Sequence, residues 1–204
     1  TFNATDSGGG VTATGAVATL TVVPVNDPPT LDLDGDDSSL RTGPDYETTY
    51  VENAPAIAIV DADLSIVDPE NQIDEVTIHL TNAFALDSLQ VGAMPLGIAA
   101  MVDTGTPGEI IVTLTGPGTT TDFETAIKAV TFLTTSENPD PTQRVIEISV
   151  SDGFANSNLA TSYVNVVPVN DNPTLDLDGN NSNGINAGNV QLTYTENDAP
   201  LSIV

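Results

Sequence analysis

The sequence predicts an all-β protein: antiparallel β-sandwich units arranged in tandem, each interrupted by one short helix. Three observations carry this. Short segments rich in β-branched residues alternate with turns made of Gly, Pro, Asn and Asp. The 14 residues Val22–Gly35 recur as Val166–Gly179 with 13 positions identical, an offset of 144. The apolar fraction is 39%, enough to build a core and too high for an acidic disordered tail.

Within one unit the first strand leads through Tyr50-Val51-Glu52. Further strands are predicted at 75–80 (EVTIHL), 109–114 (EIIVTL), 129–134 (AVTFLT), 144–150 (RVIEISV) and 161–167 (TSYVNVV). Each alternates or runs apolar and is bounded by turn formers, so seven or so short strands per unit point to a sandwich. Thr121-Asp122-Phe123-Glu124 reads as a capping box opening one helical turn. Phe123, Ile127 and Val130 then share a face that closes one end of the core. Acidic turns are expected at both poles. Asp68-Pro69-Glu70-Asn71 and Ser136–Pro141 fall at the end far from the N-terminal linker, and Ser151-Asp152-Gly153 at the near end. Leu31-Asp32-Leu33-Asp34-Gly35 reads equally as an alternating strand with its Asp face in water and as a ligand-bearing loop.

The repeat sets the organisation. The same offset maps Tyr50, Glu52, Asn53, Ile59 and Val60 onto Tyr194, Glu196, Asn197, Ile203 and Val204, and with two extra residues allowed it pairs Asp6 with Asp152. Residues 1–27 are then the last hairpin of a preceding copy, 28–171 a complete unit, and 172–204 the opening of a following one. A linear array in which each unit touches its neighbours is the expected architecture.

Charge narrows the partners. Twenty-nine acidic side chains stand against three basic ones, Arg41, Lys128 and Arg144, for a net charge of −26. Nucleic-acid phosphates and anionic lipid headgroups repel such a chain, so the expected partner is a cation. Short Asp side chains in loops are hard oxygen donors of the kind Ca²⁺ takes. Cysteine is absent, which excludes disulfides, thiolate metal sites and a Cys nucleophile. No apolar run approaches the roughly 20 residues of a membrane-spanning helix.

Val25-Asn26-Asp27-Pro28-Pro29 and Val169-Asn170-Asp171-Asn172-Pro173 resemble the calcium-binding linker between cadherin domains. With the Tyr-x-Glu-Asn segment, the Asp-Pro-Glu-Asn turn, Thr-Ser-Glu-Asn-Pro and Ser-Asp-Gly, the unit is similar to the cadherin-like tandem repeats of large bacterial surface adhesins. The resemblance implies Ig-like sandwiches in series on the cell surface, with Ca²⁺ rigidifying the junctions. The unit is longer than a typical cadherin domain, and Ser136-Glu137-Asn138 departs from that family's acidic turn.

Six to eight oxygens at roughly 2.3–2.6 Å complete a Ca²⁺ shell, and a stiff Asn-Asp-Pro linker offers several in a short arc. The candidates are Asn26 and Asp27 with Asp152, Asp32 and Asp34 at the first junction, and Asn170 and Asp171 with Glu52, Asp68 and Glu70 at the second. Asp61 and Asp63, a local Asp-x-Asp, are a further pair. Affinity should be about 10⁻⁴–10⁻³ M, as in other extracellular modules. The Asp32-Asp34-Asp36 run is no EF-hand, because position six is Asp37 and position twelve Gly43.

Catalytic readings find little to build on. The one histidine, His79, sits mid-strand, so neither a structural zinc site nor a His-based triad has its parts. Asn3-Ala4-Thr5 and Asn180-Asn181-Ser182 match glycosylation sequons. The expected function is that of a non-enzymatic, calcium-dependent stiff extender whose partners are neighbouring repeats. The alternatives are carbohydrate recognition of surface glycans, which the lack of Trp disfavours, and self-assembly into a surface layer or fibre by homotypic contacts.

Overall fold

The computed structural model describes residues 20–23, 25–177, 192–197 and 199–200. Asp6, both sequons and much of the two flanking pieces lie outside the described residues. In chain order the elements are β1 (Thr30–Asp32), β2 (Tyr46–Val51), β3 (Ile57–Ala58), β4 (Ser65–Val67), β5 (Ile73–Leu80), β6 (Asp87–Val91), β7 (Ala99–Asp103), β8 (Ile110–Gly118), α1 (Thr120–Lys128), β9 (Val130–Thr134), β10 (Arg144–Ser151) and β11 (Ala160–Val167). All of the strands expected from β-branched runs are present.

The architecture is a β-sandwich. One sheet has six strands in the order β2-β11-β10-β5-β8-β7, another has three in the order β3-β9-β6, and β1 pairs with β4. The period-2 alternation dictates which side chains meet between them. Val76, Ile78 and Leu80 of β5, Ile146, Ile148 and Val150 of β10, and Val112 and Leu114 of β8 are fully buried, as are Val130 and Phe132 of β9. Tyr50 of β2 meets Phe132 edge to face across the core, with ring centroids 5.6 Å apart. His79 stands on the outer face of β5, its Nε2 3.3 Å from Glu109.

Three expectations are corrected. The first concerns pairing: β2 lies parallel to β11, from Tyr46 opposite Ser162 to Val51 opposite Val167, so the unit is not wholly antiparallel. Both strands run from the pole of the N-terminal linker to the opposite pole, and side by side they can only be parallel. The second concerns α1. It is capped by Thr119, whose hydroxyl accepts from the Asp122 N–H while the Asp122 carboxylate accepts from the Thr119 N–H. The capping box therefore starts two residues before the expected Thr121, and Val130 belongs to β9. This frame keeps Phe123, Ala126 and Ile127 on the buried face and leaves Glu124 to accept a bond from the Ile66 N–H at 2.9 Å.

The third correction decides the site. After β2 the chain makes two short strands, β3 and β4, and β4 returns antiparallel to β1 with Val67 opposite Thr30. That pairing delivers Asp68-Pro69-Glu70-Asn71 to the pole of the N-terminal linker, not to the far one. Asn158 seals the same pole by bonding both the N–H and the C=O of Leu31 at 2.9 Å.

Candidate functional site

At the N-terminal pole the linker reaches the sandwich through Asn26, whose Nδ2 donates to Asp152 Oδ2 at 2.9 Å. Asp152 Oδ1 accepts from the Phe154 and Ala155 N–H groups at 2.7 Å each, in a turn that Gly153 permits with φ +87°. Burial disfavours the Asp152 carboxylate, but these donors outweigh it and hold its pKa below the usual value. Asp27 is exposed. Asn26, Glu70, Gln72, Asp152 and Phe154 line a shallow recess. Asp68 is buried beside it, with Oδ2 accepting from the Gln72 N–H at 2.9 Å and Oδ1 unpartnered. Asp68 and Glu70 thus belong with Asn26 and Asp152, not with Asn170 and Asp171.

Asp32 and Asp34 bond within their own loop. Leu31 and Leu33 point into the core as the alternation requires, and Asp34 is fully buried as well, so the alternation breaks there and only Asp32 of the two acids stays partly exposed. Its carboxylate closes the following loop by accepting from the Ser38 N–H and Oγ and from the Ser39 N–H at 3.0, 3.1 and 2.7 Å. Burial again works against the charge, and the Ser39 and Ser38 donors more than offset it, lowering the pKa. Asp32 Oδ1 accepts from the Asp34 N–H at 3.2 Å. Asp61 and Asp63 join Asp34 in a triad whose oxygens lie within 4.8 Å of one another. Asp63 Oδ1 accepts from the Gly35 N–H at 3.0 Å. Its pKa is raised, first by desolvation and then by the charges of Asp36, Asp61 and Asp34 against that one donor.

The opposite pole carries the second triad: Glu52, Glu137 and Asp171, each offering an oxygen within 4.8 Å of the others. Glu52 follows β2, extends its pairing through an N–H bond to the Val167 carbonyl at 3.0 Å, and is 4% exposed. Its Oε2 accepts from the Val169 N–H at 2.6 Å, so the carboxylate grips the outgoing linker. Its Oε1 is buried with no hydrogen-bond partner. Asn170 Nδ2 turns to the Asp171 carbonyl at 3.2 Å.

Two buried groups fix the loops that bring these acids together. The fully buried Tyr50 hydroxyl lies 3.1 Å from the Ala54 carbonyl, beyond Glu52, and 2.9 Å from the Thr134 carbonyl, where the Glu137 loop begins. Arg144, also fully buried, holds the other end of that loop: its guanidinium donates to the Asp140 carbonyl at 2.9 Å and to the Thr142 carbonyl. It is neutralised by Asp87 at 2.6 Å and stacks 4.2 Å over Phe84. Arg41 is paired with Glu47 at 2.7 Å and Lys128 lies 3.4 Å from the Leu64 carbonyl. No basic side chain is therefore paired with the Glu52 triad among the described residues. Glu137 was not among the residues chosen from the sequence, and only its Ser-Glu-Asn-Pro setting, echoing Tyr-x-Glu-Asn, could have marked it.

Both triads could hold a metal ion, but they differ in need. Asp34 already has donors for both oxygens, whereas Glu52 Oε1 has none. No helix among the described residues is long and apolar enough to cross a membrane. No protein-family model matches the sequence, and no curated protein does. Among solved structures the chain is similar to a cohesin module from a Clostridium perfringens family 33 glycoside hydrolase, with 8% identity and a TM-score of 0.38 over 72% of this chain and 100% of the module. A likeness of that size carries neither family nor function.

Proposed function

We propose that the chain is a non-enzymatic, calcium-binding segment of an extracellular tandem array, a stiff extender in a bacterial surface adhesion protein. In this reading 28–171 is one complete cadherin-like repeat, and residues 1–27 and 172–204 belong to its neighbours in the array. The observation that carries it is Glu52 Oε1, buried, unpartnered and set among the Glu137 and Asp171 oxygens. A buried charged acceptor left without a donor costs about 1–3 kcal/mol or more, and a hard divalent cation satisfies it together with its two neighbours. The residues present fit such an ion: three carboxylates at one pole, a linker amide beside them, and, among the described residues, no cationic side chain paired with them. Glu52, Glu137 and Asp171 would hold it, and by binding residues just after β2, on the loop after β9 and on the segment after β11 it would stiffen the exit from the sandwich.

Linkage makes the reading measurable. An ion bound only by the folded chain stabilises it by roughly 2.7 kcal/mol at a hundredfold excess over Kd. Melting temperature should rise with added CaCl₂ and fall back in EDTA, and titration calorimetry should show binding. Identical melts in calcium and in chelator, with no calorimetric heat, sink the proposal.

A further inference from the structure

The six-stranded sheet ends in two edges of opposite character. At one, β2 is half-buried over most of its length and carries Glu47, which is held by Arg41 and by Asn165 at 2.6 Å. At the other, β7 is exposed at every residue from Ala99 to Asp103, and no strand lies beyond it among the described residues. Met101 is 64% and Val102 46% exposed, and Leu96, just before the strand, is fully exposed. Edge strands are usually guarded by charges, Pro or a bulge within the strand. Here the chain carries a single charge, Asp103, between Asp87 and Glu109, although the whole molecule bears −26.

The chemistry of an open edge calls for an extended strand, since that is what satisfies a row of outward N–H and C=O groups. Register and charge select which strand. Antiparallel pairing of β7 with a second β7, centred on Met101, sets Met101 against Met101, Ala100 against Val102 and Ala99 against Asp103. The one carboxylate then faces an alanine and not its own image, and every other opposed pair is apolar. A twofold seam of this kind is self-complementary. Over most of its surface the chain repels a copy of itself, and an edge with one carboxylate, which this register sets against an alanine, lets two copies approach at low electrostatic cost.

We propose that β7 is a homotypic docking edge, through which two copies of this chain join their six-stranded sheets by antiparallel β7–β7 pairing. The inference is independent of the metal site and is tested in EDTA so that cation-bridged contacts cannot imitate it. Because the chain has no cysteine, Met101→Cys carries a single thiol. Directly opposed residues in an antiparallel pair have Cβ atoms about 4.5–5.5 Å apart, close to disulfide range. Under mild oxidation Met101→Cys should form a covalent dimer about tenfold faster than Thr106→Cys, a thiol at another exposed position that the same register sets opposite Leu96. In sedimentation the parent chain should dimerise with rising concentration, more strongly at high salt, which screens the like net charges. Met101→Glu should stay monomeric with an unchanged melting temperature. A parent chain that is monomeric up to about millimolar concentration, where weak homotypic pairs still form, overturns the proposal and leaves the edge to a strand of another protein. Equal cross-linking rates for the two thiols, or a Met101→Glu dimer as tight as the parent's, overturn it as well.

Discussion

In each of the two acidic triads three carboxylates offer oxygens within 4.8 Å of one another, yet the two are opposite in chemical state. Asp34, Asp61 and Asp63 come from neighbouring loops, and the Ser38, Ser39 and Gly35 donors already occupy much of their acceptor capacity. Glu52, Glu137 and Asp171 come from three distant parts of the chain, and one buried oxygen among them, Glu52 Oε1, has no donor at all. Acidic residues in proximity do not define a site. What separates a loop-closing carboxylate from a ligand is whether the fold has already satisfied it.

Glu52→Gln breaks the comparison hardest. In calcium at a hundredfold excess over Kd the variant should lose the ligand-dependent increment, up to about 2.7 kcal/mol or about 5–11 °C in melting temperature. In EDTA it should melt no lower than the parent, because a neutral amide still accepts from the Val169 N–H while relieving an unpartnered charge. Melting curves under the two conditions check both signs, and a variant weakened equally in each would make Glu52 a structural residue only.

Asp34→Asn comes next and should behave oppositely. Turning one acceptor into an amide donor that faces the Ser38 and Ser39 donors should cost about 1–3 kcal/mol, equally in calcium and in EDTA, as read by urea unfolding. Acid sharpens the same contrast. The folded-state pKa values of Asp34 and Asp152 lie below the ordinary 3.8, so their contribution is fully present above that value. It is lost as pH falls through the folded values, where the native carboxylates finally take up protons. Stability should decline below about pH 3.8, and the decline should be shallower in Asp34→Asn.

The smallest effect belongs to Asp63. Its folded pKa is raised, so its charged form weighs against the fold once pH climbs through that value. Asp63→Asn should therefore raise the EDTA melting temperature slightly at neutral pH and leave the calcium increment intact. Loss of that increment would move the ion from the Glu52 triad to this one.

Much of this was legible in the residues. The β-branched runs of β5, β8, β9, β10 and β11 announce themselves by alternation, and Glu52, Asn170 and Asp171 stand out because their surroundings recur 144 residues apart. Glu137, Asp68 and Glu70 fall where this chain contains no second copy, so repetition gives them no mark. β3 and β4 are two and three residues long, too short for periodicity to register. Missing them reverses the direction of the chain and sends Asp68 to the wrong pole. β7, Ala-Ala-Met-Val-Asp, has one β-branched residue and is a strand only because β8 pairs with it. Thr119, Thr120 and Thr121 stand in a row, so the sequence offers several frames for the cap; in the fold Thr119 pairs with Asp122, and Glu124 accepts instead from the distant Ile66 N–H.

The parallel pairing of β2 with β11 has a mechanical consequence. If the segments before β1 and after β11 are pulled apart, β2 is drawn towards one pole and β11 towards the other, along their own axes. The ladder from Tyr46–Ser162 to Val51–Val167 is then sheared as a whole, and its hydrogen bonds must fail together instead of opening one after another like a zip. Resistance to force is set by the unfolding rate and not by equilibrium stability. A cation held by Glu52 at the end of this ladder would tie the outgoing chain to β2 where the tension enters.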